Sequence, residues 1–247
     1  MSKSKGILYL IPTYLAGTNG PEDLPVKVID VIHNLDCFIA EKIRTARRFL
    51  KSVGYPHPID RVTFYDMGKH TDEEQQSSYI KPMLDGRNCG LLSEAGLPCL
   101  ADPGNIVVRE AHQHQIRVVP LAGPSSIIMA LIASGLNGQN FSFHGYLPVN
   151  RGDRVKKIKE LENESAQKGS TQIMMDTPFR SDQLFNSLIE VCRPETLLTV
   201  AVNISDTDKE FIRTLSVEQW KRSGLTIGKQ PAVFCLQTMG YRKNKRR

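Results

Sequence analysis

Apolar residues recur along the chain in two alternating patterns, short β-branched runs and longer segments with helical spacing. One of the longer segments covers residues 43–53. Its Ala46, Phe49 and Leu50 fall on one helical face, and a glycine follows. The same reasoning predicts strands at 6–13, 37–41, 61–66, 88–96 and 116–123, and helices at 26–35, 43–53, 71–86 and 106–115. After residue 125 the alternation starts again, with predicted helices at 125–136, 151–168 and 181–192 and strands at 140–149, 171–178, 196–204 and 230–237.

Strands that alternate with helices predict an α/β protein with a mainly parallel sheet and crossover helices. At 247 residues the chain exceeds one typical domain. The restart of the pattern therefore indicates a second α/β domain. We place the domains at 1–121 and 122–240, with the helix that begins at the serine pair in the second, and a basic tail at 241–247.

Composition is that of an ordinary globular protein, with 40% hydrophobic and 23% charged residues. No apolar run approaches the roughly 18 residues that span a bilayer, so we expect no membrane segment. The short apolar run near the N-terminus is interpreted as a strand rather than a signal peptide. The five cysteines are scattered and form no C-x-x-C motif, as expected of reduced thiols in a cytoplasmic protein.

The net charge of +6 is concentrated at the C-terminus. The tail contributes five of the 32 basic residues, which leaves 27 against 26 acidic residues in the rest of the chain. The predicted folded body is therefore almost neutral. Two interpretations of the tail remain open, a segment that strengthens RNA binding nonspecifically and a solubilising terminus.

Two loops rich in glycine and proline follow apolar strands, at residues 93–104 and 118–126. Ligands of open α/β sheets bind where such loops leave the carboxyl edge, and glycine lets the backbone approach a ligand closely. Two such loops on one sheet predict a small-molecule site. The structural alternative is that Asp102 serves as a turn or helix-capping residue and that the serine pair at 125–126 caps the next helix. Neither a G-x-G-x-x-G motif after the first strand nor a P-loop is present.

With these loops, four motifs in order resemble the tetrapyrrole methylase superfamily, the class III S-adenosylmethionine (SAM) methyltransferases. They are SEAGLPCLADPG at 93–104, VVPLAGPSS at 118–126, FHGYLPVNRGDR at 143–154 and MDTPFR at 175–180. The resemblance covers roughly residues 6–237 and is strongest to the ribosomal RNA branch of the family. The chain departs from that branch after the second strand, where AEKIR carries Lys42 in place of an acid.

The resemblance implies two α/β domains with five-stranded sheets, SAM in the cleft between them, and a homodimer. Backbone amides of a glycine-rich loop suit the methionyl carboxylate, and apolar side chains suit the adenine face. Carried over by position, the cofactor-binding residues are Pro12, Glu94, Ala95, Gly96, Leu97, Ser125, Ser126, Met175, Val202, Asn203, Pro231 and Ala232.

Glu41 and Asp176 stand at predicted strand ends beside the crevice, and they are our candidates for a general base. The candidates for substrate binding, through an RNA phosphate, are Arg44, Arg151, Arg154 and Arg180. The alternatives are a surface ion pair for Arg44, a salt bridge for Arg180 and a solvated helix face for the other two. The histidines show no metal-ligand spacing, so we expect no metal site.

The resemblance, together with the basic tail, implies a SAM-dependent methyltransferase that modifies an RNA ribose 2′-hydroxyl. Two alternatives stay open, a methyltransferase for a small molecule of the tetrapyrrole type and a protein that binds SAM without catalysis. The nearly neutral body favours a small acceptor, whereas the long loop at 144–154 favours a larger partner such as RNA.

Overall fold

Two five-stranded sheets organise the chain in the computed structural model, which describes residues 4–15, 20–68 and 71–238. The chain divides into two units after Ser125, unit 1 at 1–125 and unit 2 at 126–247. The boundary predicted between residues 121 and 122 lies a few residues before this division. The predicted tail at 241–247 lies outside the described residues.

Unit 1 is built on a parallel sheet with strand order β3-β2-β4-β1-β5. Its strands are β1 (Ile7–Ile11), β2 (Cys37–Ala40), β3 (Thr63–Asp66), β4 (Cys89–Leu92) and β5 (Arg117–Pro120). Its helices are α1 (Val26–His33), α2 (Ile43–Ser52), α3 (Glu73–Ser78), α4 (Lys81–Leu84) and α5 (Asn105–Gln113). Because β4 lies between β2 and β1, the loops that follow β1 and β4 leave the sheet side by side.

The central strands of unit 1 are apolar on both faces because helices cover both sides of the sheet. Alternate side chains of β2 enter different cores: Phe38 packs with Ile11 and Phe49, whereas Ile39 packs with Leu91. All four residues of β2 are buried. The continuous apolar runs of the sequence are thus explained by burial on two faces.

The single helix predicted at 71–86 is wrong, because the segment forms α3 and α4 with a break between them. Tyr79 and Ile80 lie at the break, and both are buried. In a continuous helix the amide of residue 82 would bond to the carbonyl of residue 78, but Pro82 has no amide hydrogen. Pro82, together with the burial of Tyr79 and Ile80, therefore divides the helix.

Unit 2 contains a mixed sheet with strand order β6-β7-β10-β8-β9. Its strands are β6 (Phe141–Tyr146), β7 (Thr171–Asp176), β8 (Leu197–Val202), β9 (Phe211–Ser216) and β10 (Ala232–Gln237). Its helices are α6 (Ser126–Ser134), α7 (Arg151–Lys168), α8 (Ser181–Val191) and α9 (Val217–Ser223). β6 and β7 are parallel, whereas β10 is antiparallel to both β7 and β8, and β8 is antiparallel to β9. The expectation of mainly parallel strands therefore holds for unit 1 and not for unit 2.

The core of unit 2 lies under α7, α8 and α9 and includes Phe185, Trp220 and Phe234. The Trp220 indole donates a hydrogen bond of 2.7 Å to the carbonyl of Leu198, which satisfies its only polar atom in the core. The predicted α/β class with two five-stranded sheets is confirmed. Within the described ranges, no helix has the length and hydropathy needed to cross a membrane.

Candidate functional site

The loop after β4 is held against the loop after β1 by reciprocal backbone hydrogen bonds. The Thr13 amide donates to the Gly96 carbonyl at 2.9 Å, and the Gly96 amide donates to the Thr13 carbonyl at 3.2 Å. The Ser93 hydroxyl also donates to the Gly96 carbonyl, and it lies 3.2 Å from the Thr13 hydroxyl. The two loops therefore form one structure at the carboxyl edge of the sheet in unit 1.

Two glycines bring the backbone closer at this edge than a side chain would allow. Gly96 has φ of +77°, and a Cβ there would lie 2.9 Å from Leu15 Cδ2 and 3.1 Å from the Pro124 carbonyl oxygen. A Cβ on Gly123 would lie 2.3 Å from Pro12 Cβ and Cγ. The two glycines consequently let the loops after β1, β4 and β5 pack directly against one another at this edge.

The rest of the 93–104 loop contains left-handed backbone at residues other than glycine. Cys99 and Ala101 both have φ of 65°. Such residues cost about 1 kcal/mol each, and they persist where the surrounding structure over-determines them. Strained backbone of this kind concentrates at ligand-binding sites, so it agrees with the binding role predicted for the loop.

Carboxylates gather at the same edge. Lys42 Nζ lies 2.9 Å from Glu94 Oε2, and this hydrogen-bonded ion pair raises the pKa of Lys42. Asp102 Oδ2 is buried without a hydrogen-bond partner among the described residues. Burial raises the pKa of Asp102 to about 6, repulsion from Glu41 and Glu94 adds to the increase, and the backbone amides of Glu94 and Ala95 oppose it. Three carboxyl groups therefore interact at this edge, and Lys42 balances the charge of one of them.

The helix-capping alternative for Asp102 is wrong. The N-cap of α5 is Gly104, which has φ of 125° and makes no side-chain capping bond. The chain turns at Pro103 and Gly104 before the helix begins, so the carboxyl group of Asp102 interacts with the amides of Glu94 and Ala95 instead. Asp102 thus connects the two ends of the 93–104 loop.

Replacing Asp102 with asparagine is expected to stabilise unit 1 in alkaline solution and to change little in acid. Because the folded-state pKa is raised, the folded protein keeps a proton that the unfolded chain has lost, and stability falls as the pH rises from the ordinary aspartate value to about 6. The variant lacks this titration. Since the side chain is partly exposed, we expect a gain of about 1 kcal/mol at about pH 8 that vanishes at about pH 4, measured by calorimetry. A gain that is independent of pH would contradict the raised pKa.

A cavity of about 410 Å³ lies beside the two loops in unit 1. Its wall includes Tyr14 from the β1 loop, Arg48 and Phe49 from α2, and Glu94 from the β4 loop. Its volume falls in the range of about 300–1,000 Å³ that is typical of small-molecule sites. One polar segment, 94–95, therefore belongs both to the tight loop and to the cavity wall.

The structure brings together the cofactor-binding residues predicted in unit 1. Pro12 packs against Gly123, and the Cα of Ser125 lies 3.9 Å from the position of a Cβ on Gly96. The segment 94–97 contacts both regions, because Gly96 is hydrogen-bonded to Thr13, next to Pro12, and lies close to Ser125. Of the other predicted residues in this unit, Glu41 is half-buried directly after β2 and Arg44 is exposed in the first turn of α2.

The cofactor-binding residues predicted in unit 2 lie mainly where three neighbouring strands begin or end. Ala232, at the start of β10, pairs with Asp176 at the end of β7 and with Val202 at the end of β8. Asn203 follows β8 with φ of 48°, and its amide donates to the Pro231 carbonyl at 3.1 Å. The predicted residues in this group are Met175, Val202, Asn203, Pro231 and Ala232. The expected cleft that combines them with the residues of unit 1 stays a prediction.

Asp176 and Arg180 form an ion pair in unit 2. Asp176 is 7% exposed, and its Oδ1 lies 2.7 Å from both Arg180 Nη2 and the Thr177 amide that donates to it. The salt-bridge alternative for Arg180 is therefore the arrangement observed. Because two donors already occupy one oxygen of Asp176, this carboxylate is less available to accept a proton from a substrate than Glu41 is.

The arginines of α7 make contacts within unit 2. Arg154 is 7% exposed, its Nε donates to the Ser187 hydroxyl at 3.0 Å, and its Nη1 donates to the Val149 carbonyl at 2.8 Å. Arg151 pairs with Glu190 at 2.8 Å. The expectation that Arg154 contacts RNA is corrected, because the helical turn directs it toward α8 and no surface is left for a large ligand. Ser126, the remaining predicted residue, begins α6.

Several residues at the edge of unit 1 have no signal in the sequence. Thr13 and Ser93 are buried and link the two loops, and Lys42 pairs with a residue 52 positions away. Short hydroxyl side chains at strand ends are too common to indicate such a contact. For the whole described part of the chain, no group of three or more His, Cys, Asp and Glu side chains is arranged to hold a metal ion.

Comparison with curated proteins finds relatives named "Ribosomal RNA small subunit methyltransferase I". The protein from Buchnera aphidicola subsp. Baizongia pistaciae (strain Bp) is 28% identical over 203 residues, which are 82% of this chain and 65% of that protein. The one from Vibrio cholerae serotype O1 (strain ATCC 39315 / El Tor Inaba N16961) is 29% identical over 81% of this chain and 66% of its own length. The chain thus spans slightly less than two thirds of both. The protein from Bacillus subtilis (strain 168) is 31% identical over 95% of this chain and 75% of its own length.

A solved structure, "Crystal structure of the methyltransferase CobJ", has a TM-score of 0.60 and covers 95% of each chain at 15% identity, which shows a shared fold. The model of the family "Tetrapyrrole (Corrin/Porphyrin) Methylases" matches residues 9–218. That match includes the two glycine-rich loops of unit 1 and the strands β6 to β9 of unit 2. The chain therefore belongs to the tetrapyrrole (corrin/porphyrin) methylases.

Proposed function

We propose that the protein transfers a methyl group from SAM to a ribose 2′-hydroxyl of small-subunit ribosomal RNA. The observation that carries the proposal is the tight loop at 94–97, which lies beside a cavity of about 410 Å³ at the carboxyl edge of the sheet in a chain of this family. The names of the relatives support the RNA acceptor.

The residues of unit 1 fit the chemistry of SAM. This cofactor carries a sulfonium and an ammonium group, and Glu41 and Asp102 are carboxylates of this edge that would interact with them. The absence of a side chain at Gly96 lets the loop lie close to Leu15 and Pro124 beside the cavity.

SAM supplies an electrophilic methyl group whose leaving group is a neutral thioether, so catalysis depends mainly on position and on exclusion of water. The acceptor oxygen forms the new C–O bond as the S–C bond breaks, and its proton goes to a base. Glu41 is the better candidate for that base. It is half-buried, and no other side chain in the described part of the chain forms a hydrogen bond or ion pair with it.

The proposal is tested with the full chain in two steps. Calorimetry first measures binding of SAM and of S-adenosylhomocysteine. Tritiated SAM is then incubated with the protein and either small ribosomal subunits or a metabolite extract, and nuclease digestion locates the label on a ribose. Label in the metabolites alone would support a small-molecule acceptor, and binding without label would support a SAM-binding protein without catalysis. Either result, or no SAM binding, overturns the proposal.

The variant Gly96→Ala is expected to bind SAM at least about tenfold more weakly and to lose about 2 kcal/mol of stability. Its Cβ requires both a left-handed backbone and movement of Leu15 or Pro124. Gly54→Ala is the matched control, because Gly54 has φ of +67° with no atom near the Cβ position. The control is expected to lose about 1 kcal/mol and keep its SAM affinity. Equal loss of affinity in both variants would contradict a role for the tight loop.

The homodimer implied by the family resemblance also stays a prediction, which light scattering on the purified protein tests.

A further inference from the structure

Helix α2 has two opposite stripes of contrasting chemistry. Its buried stripe contains Ala46, Phe49 and Leu50. The exposed stripe, here called the cationic stripe, consists of Arg44, Arg47, Arg48 and Lys51. The spacing of i, i+3, i+4 and i+7 places all four cations on one face of the helix.

The cationic stripe is not neutralised by the protein. No acidic residue occurs within α2, and none of the four side chains forms an ion pair with any residue in the described ranges. Arg47 lies 5.5 Å from the centre of the Phe64 ring, a cation–π contact that leaves its charge uncompensated. Like charges at i, i+4 destabilise a helix by about 0.2–0.5 kcal/mol per pair. The helix therefore carries an electrostatic cost that a polyanionic partner would remove.

Helix α7 shows what a solvated basic helix looks like in the same protein. Three of its four lysines pair with carboxylates, among them Lys156 with Asp153 and Lys157 with Glu160. Lys168, near its end, pairs with Glu164. The absence of acids from α2 is thus a feature of that helix and not of every basic helix in this chain.

The cationic stripe also adjoins the candidate site. Arg48 lines the cavity in unit 1 together with Glu94 and Ala95 of the tight loop. The four cations lie within eight residues of helix, and the rise from Arg44 to Lys51 is about 10 Å, which is long enough to meet more than one backbone phosphate. A strand whose phosphates lay along the stripe would bring a nucleotide to the mouth of the cavity.

We propose that the cationic stripe of α2 binds the sugar–phosphate backbone of the acceptor RNA and delivers one nucleotide to the adjoining cavity. This inference rests on the proposed RNA substrate. It moves the RNA contact predicted at Arg151 and Arg154 from α7 to α2. Phosphate contacts of this kind position the RNA without reading its sequence.

The test compares two double variants with equal loss of charge, Arg44→Gln/Arg48→Gln in α2 and Lys156→Gln/Lys159→Gln in α7. Binding of a fluorescein-labelled single-stranded RNA to the full chain is followed by anisotropy over a series of salt concentrations. The α2 variant is expected to bind several-fold more weakly, uniformly across RNA sequences, and to reduce the log–log salt slope by about 1.4, or 0.7 for each lost phosphate contact. The α7 variant is expected to leave both quantities unchanged.

A second variant, Arg47→Gln/Lys51→Gln, removes two of the three cations of the stripe that do not line the cavity. We expect the salt slope to fall by the same amount as in the Arg44→Gln/Arg48→Gln variant. Because neither Arg47 nor Lys51 lines the cavity, this result would assign the effect to phosphate binding rather than to a change in the cavity. SAM affinity, measured by calorimetry, is expected to stay at the wild-type value in this variant and in the α7 variant.

Two results would overturn the inference while the proposed function stands. They are equal slopes for the α2 and α7 variants, and loss of RNA binding that is explained by loss of SAM binding. Failure of the wild-type protein to label RNA, by contrast, refutes the proposed function itself.

Discussion

Replacing Glu41 with glutamine is expected to slow methyl transfer about 100-fold in a single turnover, at the lower end of what general base catalysis contributes. The side chain is half-buried directly after β2, close enough to Asp102 to raise the pKa of that group. Its carboxylate is not held by a cation, since Lys42 pairs with Glu94 instead. It is therefore the carboxylate at this edge that is best placed to accept the hydroxyl proton.

The control for this prediction is Glu74→Gln, which removes the same charge from an exposed position in α3 of unit 1. It is expected to keep the wild-type rate. Because Glu41 also acts on the pKa of Asp102, the variant Asp102→Asn is measured in parallel. If Asp102→Asn alone reproduced the loss of rate, the effect would be indirect. An unchanged rate in Glu41→Gln, with SAM affinity intact, would eliminate Glu41 as the base.

Replacing Arg180 with alanine is expected to destabilise unit 2 by about 3 kcal/mol. The change removes the cation that lies 2.7 Å from the Asp176 carboxylate, whose side chain is only 4% exposed. The buried charge then keeps the Thr177 amide as a donor but loses its ion pair. Adding Asp176→Asn to the variant is expected to restore much of the stability, because a neutral amide costs less to bury than an unpaired charge.

Fluorescence of Trp220, the only tryptophan of the chain, reports the unfolding of unit 2 in urea because its ring lies in the core of that unit. The matched control is Arg222→Ala, which breaks an exposed pair with Glu218 and is expected to cost less than about 1 kcal/mol. A similar loss in the two single variants, or no recovery in the double variant, would show that the Asp176–Arg180 pair has no special role in stability.

The α/β class and most elements could be predicted because periodicity is a local property of the sequence. The period-3.6 pattern of residues 43–53 corresponds to α2, and the β-branched run before Gly123 corresponds to β5. The break between α3 and α4 could have been inferred from Pro82, but the segment around it remains polar and helical in pattern. The mixture of parallel and antiparallel strands in the second sheet could not be inferred from the sequence, because it depends on which strands become neighbours.

For the candidate site, the glycine-rich loops indicated where to look but not what surrounds them. The loop 93–104 was predicted to bind a ligand, and the structure shows why it is tight: the positive φ of Gly96 and the packing of Gly123 on Pro12. The prediction that Arg154 lies on a basic surface of α7 is wrong, because its side chain is buried against α8. Whether an arginine faces solvent or a neighbouring helix depends on how the helices pack. The four cations of the cationic stripe, on α2, form no ion pair within the described ranges.

By itself, the sequence determined the alternation of strands and helices, the positions of the two glycine-rich loops and the family resemblance that they carry. Each of these follows from residues close together along the chain. The tertiary structure alone decided that Lys42 meets Glu94, that Asp102 is buried beside them, and that Asp176 is neutralised by Arg180. The first two of these arrangements join residues on different loops of one sheet edge, and the third depends on burial at a strand end. Burial and charge pairing in three dimensions set their energies, and local sequence does not encode either.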